Sequence, residues 1–338
     1  MDAQLEVWDK HWSEQVAQHA VWLSGLVEFE EAEDILEKIG PIMMSDSRVW
    51  RRVETWGERG QAAEATQRAT AITLPPRSAI VAGEARQPKD RGVAMDRAKV
   101  HIREEGWKEL KVGCLFDIAV WPTRDKETGD LIDLAHAVQN SYVAHLGGPE
   151  VFGQLVWAEA RRRDWSQARE TLALGEGAPW IWNLVKDHFY DSRPGVDWYH
   201  ATEHLMHAAH RLKGEGTLAA HQWFKDYETP LFEGHADRMA PLLRELAQTH
   251  PNAEDLHGEA HYFDENHRRM QYLELREDGF PIGSGMVESG CKQFRARFNG
   301  PGMRWSRPGI ERLLPVRAAI MSHTFDAWWK AAYKSPLN

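Results

Sequence analysis

Residues 92–116, GVAMDRAKVHIREEGWKELKVGCLF, decide the fold class. Gly92 to Ile102 reads as a strand, and Glu104-Glu105-Gly106 as a turn. In KELKVGCLF, Leu110, Val112, Cys114 and Phe116 alternate onto one face, the period-2 pattern of a half-buried strand. Downstream, TRDKETGD (123–130) reads as a loop and VQNSYVAHL (138–146) as a third strand. Pro149 opens a helix through Phe152, Leu155, Val156 and Glu159, since proline is tolerated in a first helical turn. TLAL (171–174) is a short strand, Trp180–Phe189 a helix, PGVDW (194–198) a fifth strand, and a helix starts near His200. Three strands, helix, strand, helix, strand, helix predicts an α/β protein with a mixed sheet.

Further out the grammar turns helical. LMHAAHRL, TLAAHQWFKDY, RMAPLLRELAQ and ENHRRMQYLELRE fill residues 205–280 as an expected helical insertion. Then comes PIGSGMVESGCKQFRARFNGPGMRWS (281–306). Val287, Cys291, Phe294 and Phe298 fall at i, i+4, i+7 and i+11, one apolar stripe of a helix. Glu288, Lys292 and Arg295 share a second face by the same spacing. A carboxylate at a helix start followed by two cations suits a metal ion and the phosphate held with it, or else a solvated charged face.

Upstream, residues 74–91 are rich in proline, glycine and charge, an expected linker. Residues 1–73 read as helical: one helix to Ile39 with Leu5, Trp8, Trp12 and Val16 inward, a break at Gly40-Pro41, and a second helix after Ser45 or Asp46. Arg48, Arg51 and Arg52 beside Val49, Val53 and Trp56 give the outline of a helix-turn-helix, or of a plain packing or dimerisation segment.

Composition sets the bounds. The 338 residues are 42% hydrophobic and 27% charged, ordinary for a globular chain with ample core. No run of eighteen apolar residues is present, so no membrane-spanning segment is expected. The start, MDAQLEVWDKHW, lacks the basic-then-apolar layout of a signal peptide, and a cytoplasmic location is expected. Two cysteines, Cys114 and Cys291, exclude a disulfide scaffold or a cysteine zinc finger. The net charge of -10 runs against DNA binding by overall attraction, so any phosphate contact has to come from a local basic stripe.

Four stretches carry a resemblance, in order: MDRAKVHIREEGWKELKVG, LGEGAPWIWN, VDWYHATEHL, and PIGSGMVESGCK followed by GMRWS. Over about residues 92 to 330 the chain resembles the ISKra-type insertion-sequence transposases of bacteria, a group of DDE enzymes. The resemblance implies a ribonuclease-H-like core in two parts, 92–204 and 281–338, interrupted by the insertion. It also implies double-stranded DNA as partner, a homo-oligomer, a nucleoid-associated location in bacterial cytoplasm, and a longer N-terminal region in relatives than this chain has. Three carboxylates would hold two Mg2+ or Mn2+ ions: Asp96 on the first strand, Glu176 after the fourth and Glu288 on the late helix. Asp197 and His200 match an Asp-x-x-His signature beside that triad, although Asp197 also suits a plain helix cap. Lys292, Arg295, Arg297 and Arg304 are the candidate DNA-binding cations.

Two positions depart from the family pattern: Glu176 stands where it has aspartate, and Arg97 where it has glycine. A carboxylate displaced by about 1 Å can cost ~100-fold in rate. A transposase-derived protein that binds DNA or a partner without catalysis is therefore the alternative. As a strand neighbour of Asp96, Arg97 is expected on the opposite face. A third reading, zinc proteolysis, rests on His200-Ala201-Thr202-Glu203-His204, an H-x-x-E-H pattern with His207 on the same helix face.

Overall fold

Five strands make one mixed sheet in the order β3-β2-β1-β4-β5: β1 (Arg91–Ile102), β2 (Gly106–Arg124), β3 (Leu131–His145), β4 (Thr171–Gly175) and β5 (Arg193–Val196). The computed structural model describes residues 12–72, 89–124, 129–249 and 253–334. The first three strands are antiparallel neighbours, whereas β4 runs parallel to β1 and β5 parallel to β4. The chain is thus α/β with a mixed sheet, as its strand pattern predicts.

The β2–β3 hairpin is longer than expected. Thr123 and Arg124, read as loop, pair with Ile132 and Leu131. Residues 131–137 mix polar and apolar side chains without a buried face, so hydrophobic alternation could not reveal them. Of the remainder of the expected loop, residues 125–128 lie outside the described residues.

Alternation along β1 feeds two cores. Val93 and Met95 point to one face, where they pack with Phe152 and Val156 of α4 (Pro149–Arg162) and Ile181 and Leu184 of α5 (Pro179–His188). Ala94, Ala98 and Val100 point to the other, against Val287, Phe294 and Phe298 of α11 (Gly285–Phe298) and Leu313 and Val316 of α12 (Arg307–Met321). The expected apolar stripe of α11 is buried throughout: Val287, Cys291, Phe294 and Phe298 are all under a tenth exposed.

Among the described residues, five α-helices run between β5 and α11: α6 (Trp198–Lys213), α7 (Leu218–Phe232), α8 (Met239–Ala247), α9 (Ala253–Asn266) and α10 (Tyr272–Glu277). Their apolar faces, among them Leu205, Phe224, Leu243 and Phe263, join the α4–α5 side of the core. Burying each such side chain contributes about 1.5–3 kcal/mol.

The N-terminal segment forms α1 (Glu14–Leu26), α2 (Phe29–Ile39) and α3 (Asp46–Ile72). The single helix expected to Ile39 is broken, because Val27 and Glu28 are extended and Val27 caps α1. Leu5 and Trp8 lie outside the described residues. Ala17 and Val21 of α1 and Val53 and Trp56 of α3 sit in the same core as α12. Close approach needs a small residue: a Cβ on Gly60 would come within 2.2 Å of the Trp328 ring on α13 (Phe325–Lys334). Most of the expected linker, residues 74–88, lies outside the described residues.

Candidate active site

The parallel strands β4 and β5 end level with the middle of β1, and the carboxyl ends of parallel strands are where open α/β sheets commonly bind ligands. Pairing of β1 with β4 stops at Met95↔Gly175, so Asp96 is the next residue on β1 and Glu176 the first after β4. Asp197 follows β5 at once, and its backbone N–H donates to Gly175 O at 2.9 Å. Glu288 lies in the first turn of α11, which packs across β1. One edge therefore gathers Asp96, Glu176, Asp197 and Glu288.

Glu176 is mostly buried, its side chain 15% exposed. Burial, reinforced by Asp96, raises its pKa against the opposing pull of Arg97 and His200. One of its oxygens, Oε1, is buried without a hydrogen bond, although Arg97 Nε stands 3.2 Å away. A buried carboxylate oxygen without a hydrogen-bond donor suits a cation, and the cation beside this one is Arg97. The Glu176 turn depends on Gly177 (φ 97°), where a Cβ would lie 2.8 Å from Tyr262 Cε2.

The expectation that Arg97 points away from the carboxylates fails at its tip. The side chain leaves β1 on the far face, yet its guanidinium spans Glu176 and Glu109, each at 3.2 Å. Because β4 has already ended, no strand blocks the way, and a long flexible side chain rounds the edge.

Asp197 is fully buried and does two things at once. It caps α6, accepting from His200 N at 2.8 Å, and its Oδ1 lies 3.2 Å from His200 Nδ1. Its other oxygen accepts from the Ser284 backbone N–H, tying the start of α6 to the start of α11. Burial alone would raise its pKa, but these bonds from His200 and Ser284 more than offset that and hold it low. The same contact with Asp197, helped by Glu176 and Asp96 and resisted by burial, lifts His200 to about 9. His200 is a cation at neutral pH, with Nε2 directed at Glu176 Oε2 from 3.9 Å.

Ligand-capable atoms of Asp197, His200 and Glu288 lie within 4.8 Å of one another. Asp96 and Glu176 are not part of that three, but both act on the Cys291 thiol, as does Glu288. Burial first, then these carboxylates, push its pKa far up. Cys291 was legible only as an apolar stripe residue, since nothing in helical spacing shows which strand residue a thiol meets. Outside this edge opens a groove of about 410 Å³, with Tyr199, His200, Met206, Phe224 and Glu288 in its walls.

Of the candidate DNA-binding cations, Lys292, Arg295 and Arg304 are exposed. Arg297 is not: it is 3% exposed, and its guanidinium lies over the rings of Phe29, Phe298 and Trp305. Its Nε donates to Ser24 O at 2.8 Å. Arg297 is an internal strut between α11 and α1, which corrects its place among the DNA-facing cations.

The H-x-x-E-H pattern divides. His200 turns to Asp197, whereas His204 Nδ1 meets Glu259 Oε2 of α9 at 2.6 Å. The two histidines belong to different clusters. No protein-family model and no curated protein matches the chain.

Proposed function

We propose that this chain is a DDE-type transposase that cleaves and transfers DNA strands at the ends of an insertion element. What supports the reading is the placement of Asp96 on β1 just past its last rung with β4, of Glu176 directly after β4, and of Glu288 in the first turn of α11, which packs on β1. A five-stranded mixed sheet followed after β5 by a run of helices before α11 supports the ribonuclease-H-like reading. Four motifs of the ISKra-type pattern fall on these elements in sequence.

The donor set is all oxygen, which favours Mg2+ or Mn2+ over softer ions. The donor-poor Glu176 Oε1 fits a ligand role, so Asp96, Glu176 and Glu288 would hold the ions. When bound, a metal pair activates the attacking oxygen and stabilises the leaving one in an in-line displacement. The protein's own groups do the rest. Asp197 fixes the His200 ring and its protonation, and His200 offers a positive Nε2 to phosphate oxygens beside Glu176. Lys292 and Arg295 lie one and two turns beyond Glu288 and bind the phosphates flanking the cleaved bond.

A specific contact favours the second reading, a binding protein without catalysis: Arg97 occupies Glu176 as an ion-pair partner. Both readings are decided by incubating the protein with element-end duplexes in Mg2+ or Mn2+. Transposase activity gives metal-dependent nicks that vanish in Asp96→Asn and Glu288→Gln. Retarded but uncut DNA in every condition would establish the binding protein instead.

A further inference from the structure

About one turn along α6 from His200 lies a second cluster that the strand-cleavage chemistry does not use. His204 and His207 sit at i and i+3 on one helix face, and Glu259 comes across from α9. Ligand-capable atoms of all three lie within 4.8 Å of one another. Glu259 faces both rings, with Oε2 at 2.6 Å from His204 Nδ1 and Oε1 at 3.9 Å from His207 Nδ1. We propose that His204, His207 and Glu259 form a binding site for a first-row transition cation of the Zn2+ class, clasping α6 to α9.

The donor chemistry separates this site from the sheet-edge carboxylates. Two imidazole nitrogens and one carboxylate suit Zn2+ and its neighbours, whereas Mg2+ prefers oxygen alone. Bonds of about 2.0–2.2 Å in tetrahedral geometry put neighbouring ligand atoms roughly 3.4 Å apart. The 2.6 and 3.9 Å contacts straddle that value, so shifts under 1 Å bring each histidine to ligand spacing from the Glu259 carboxylate. The His204 ring is already oriented, stacked on Tyr262 with centroids 3.5 Å apart and 18° between planes. His207 is exposed, which leaves the fourth position to water.

The clasp reaches the other site mechanically. Tyr262 is one turn from Glu259 on α9 and lies against Gly177, the residue that turns Glu176 into place. A cation between α6 and α9 therefore stiffens the wall behind Glu176 without touching it. This site stands independently of whether the sheet edge cleaves DNA.

The test is zinc binding by the full chain after metal stripping, read by equilibrium dialysis with metal quantification and by the Co2+ visible spectrum. Wild type, Asp96→Asn and Glu288→Gln should each take up one tightly held Zn2+, with a rise in melting temperature. His207→Ala, an exposed change that leaves the fold intact by circular dichroism, should weaken binding by at least the ~10–100-fold that loss of an outer-shell partner costs. Glu259→Gln should do the same, and neither variant should gain melting temperature from Zn2+. Equal zinc uptake by wild type, His207→Ala and Glu259→Gln overturns the proposal, as does no uptake by wild type. Loss of uptake in Asp96→Asn with retention in His207→Ala also overturns it, since the ion would then belong to the sheet edge.

Discussion

At the scale of single residues the sheet edge is a contest for Glu176. Its carboxylate is buried, pressed by Asp96, and met by Arg97 from around the strand end. A guanidinium in that position does electrostatically part of what a metal ion would do, and so competes with it. Arg97→Gly is expected to release Glu176 and raise Mn2+-dependent cleavage about tenfold, the equivalent of ~1.4 kcal/mol in the barrier. Glu176→Asp should raise it too, by withdrawing a side chain one methylene too long. Nicking rates of the two single variants and their double measure both, and unchanged rates in all three would leave the binding reading in possession. His200 supplies a pH test in the metal-free protein. Its folded pKa of about 9 stands above the ordinary 6.5, so its proton stabilises the fold. That contribution is complete below pH 6.5 and is lost as pH rises through about 9. Denaturant midpoints in EDTA between pH 6 and 9.5 should fall for wild type and stay flatter for His200→Gln.

Helices and strands were legible where their packing is periodic. The α11 stripe from Val287 to Phe298 is buried as its spacing demands, and Lys292 and Arg295 face water on the expected side. By resemblance Asp96 was readable as a first-strand carboxylate and Glu176 as one at the end of the fourth, and the β1–β4 register sets both one residue past the last shared rung. What spacing could not show is a partner from far along the chain. Arg297 looks like one more surface cation, yet Ser24 and Phe29 of the N-terminal segment close over it. Burial, with Arg317 nearby, holds its pKa down to about 10 against the pull of Glu28. Glu259 was invisible as a partner for His204 for the same reason, being 55 residues away. The two kinds of cation on α11 should separate experimentally. Replacing Lys292 and Arg295 together by alanine should weaken DNA binding and reduce the salt slope by about 1.8, at ~0.9 per phosphate contact. Arg297→Ala should leave that slope unchanged and lower the melting temperature instead. A changed slope for Arg297→Ala in a fully folded sample would return it to the DNA surface.

Over the whole molecule the helical N-terminal segment matters most for how the parts cohere. Its outline admits a helix-turn-helix or a packing segment, and the described contacts give α3 a large apolar commitment to the rest of the chain. Trp56 is 2% exposed, 4.4 Å from Trp329 by ring centroids and 5.6 Å from Tyr333, stacked at 6°. Arg312 on α12 reaches back to Glu54 at 3.3 Å and to Glu58. Helix α12 in turn packs on the sheet with α11, so α3 supports the helix layer that presents Glu288. A segment seated this way unfolds with the sheet, since stripping it exposes the α12–α13 surface to water. Trp56→Ala is therefore expected to cost about 3–5 kcal/mol of global stability, the range for emptying a large aromatic site. Urea unfolding followed by far-ultraviolet dichroism and by tryptophan fluorescence should give coincident transitions for wild type. In the variant both should shift together to lower urea. If fluorescence alone shifts while the bulk transition stays in place, α3 is an appended element that unfolds separately. The arginines Arg48, Arg51 and Arg52 would then belong to a module of their own.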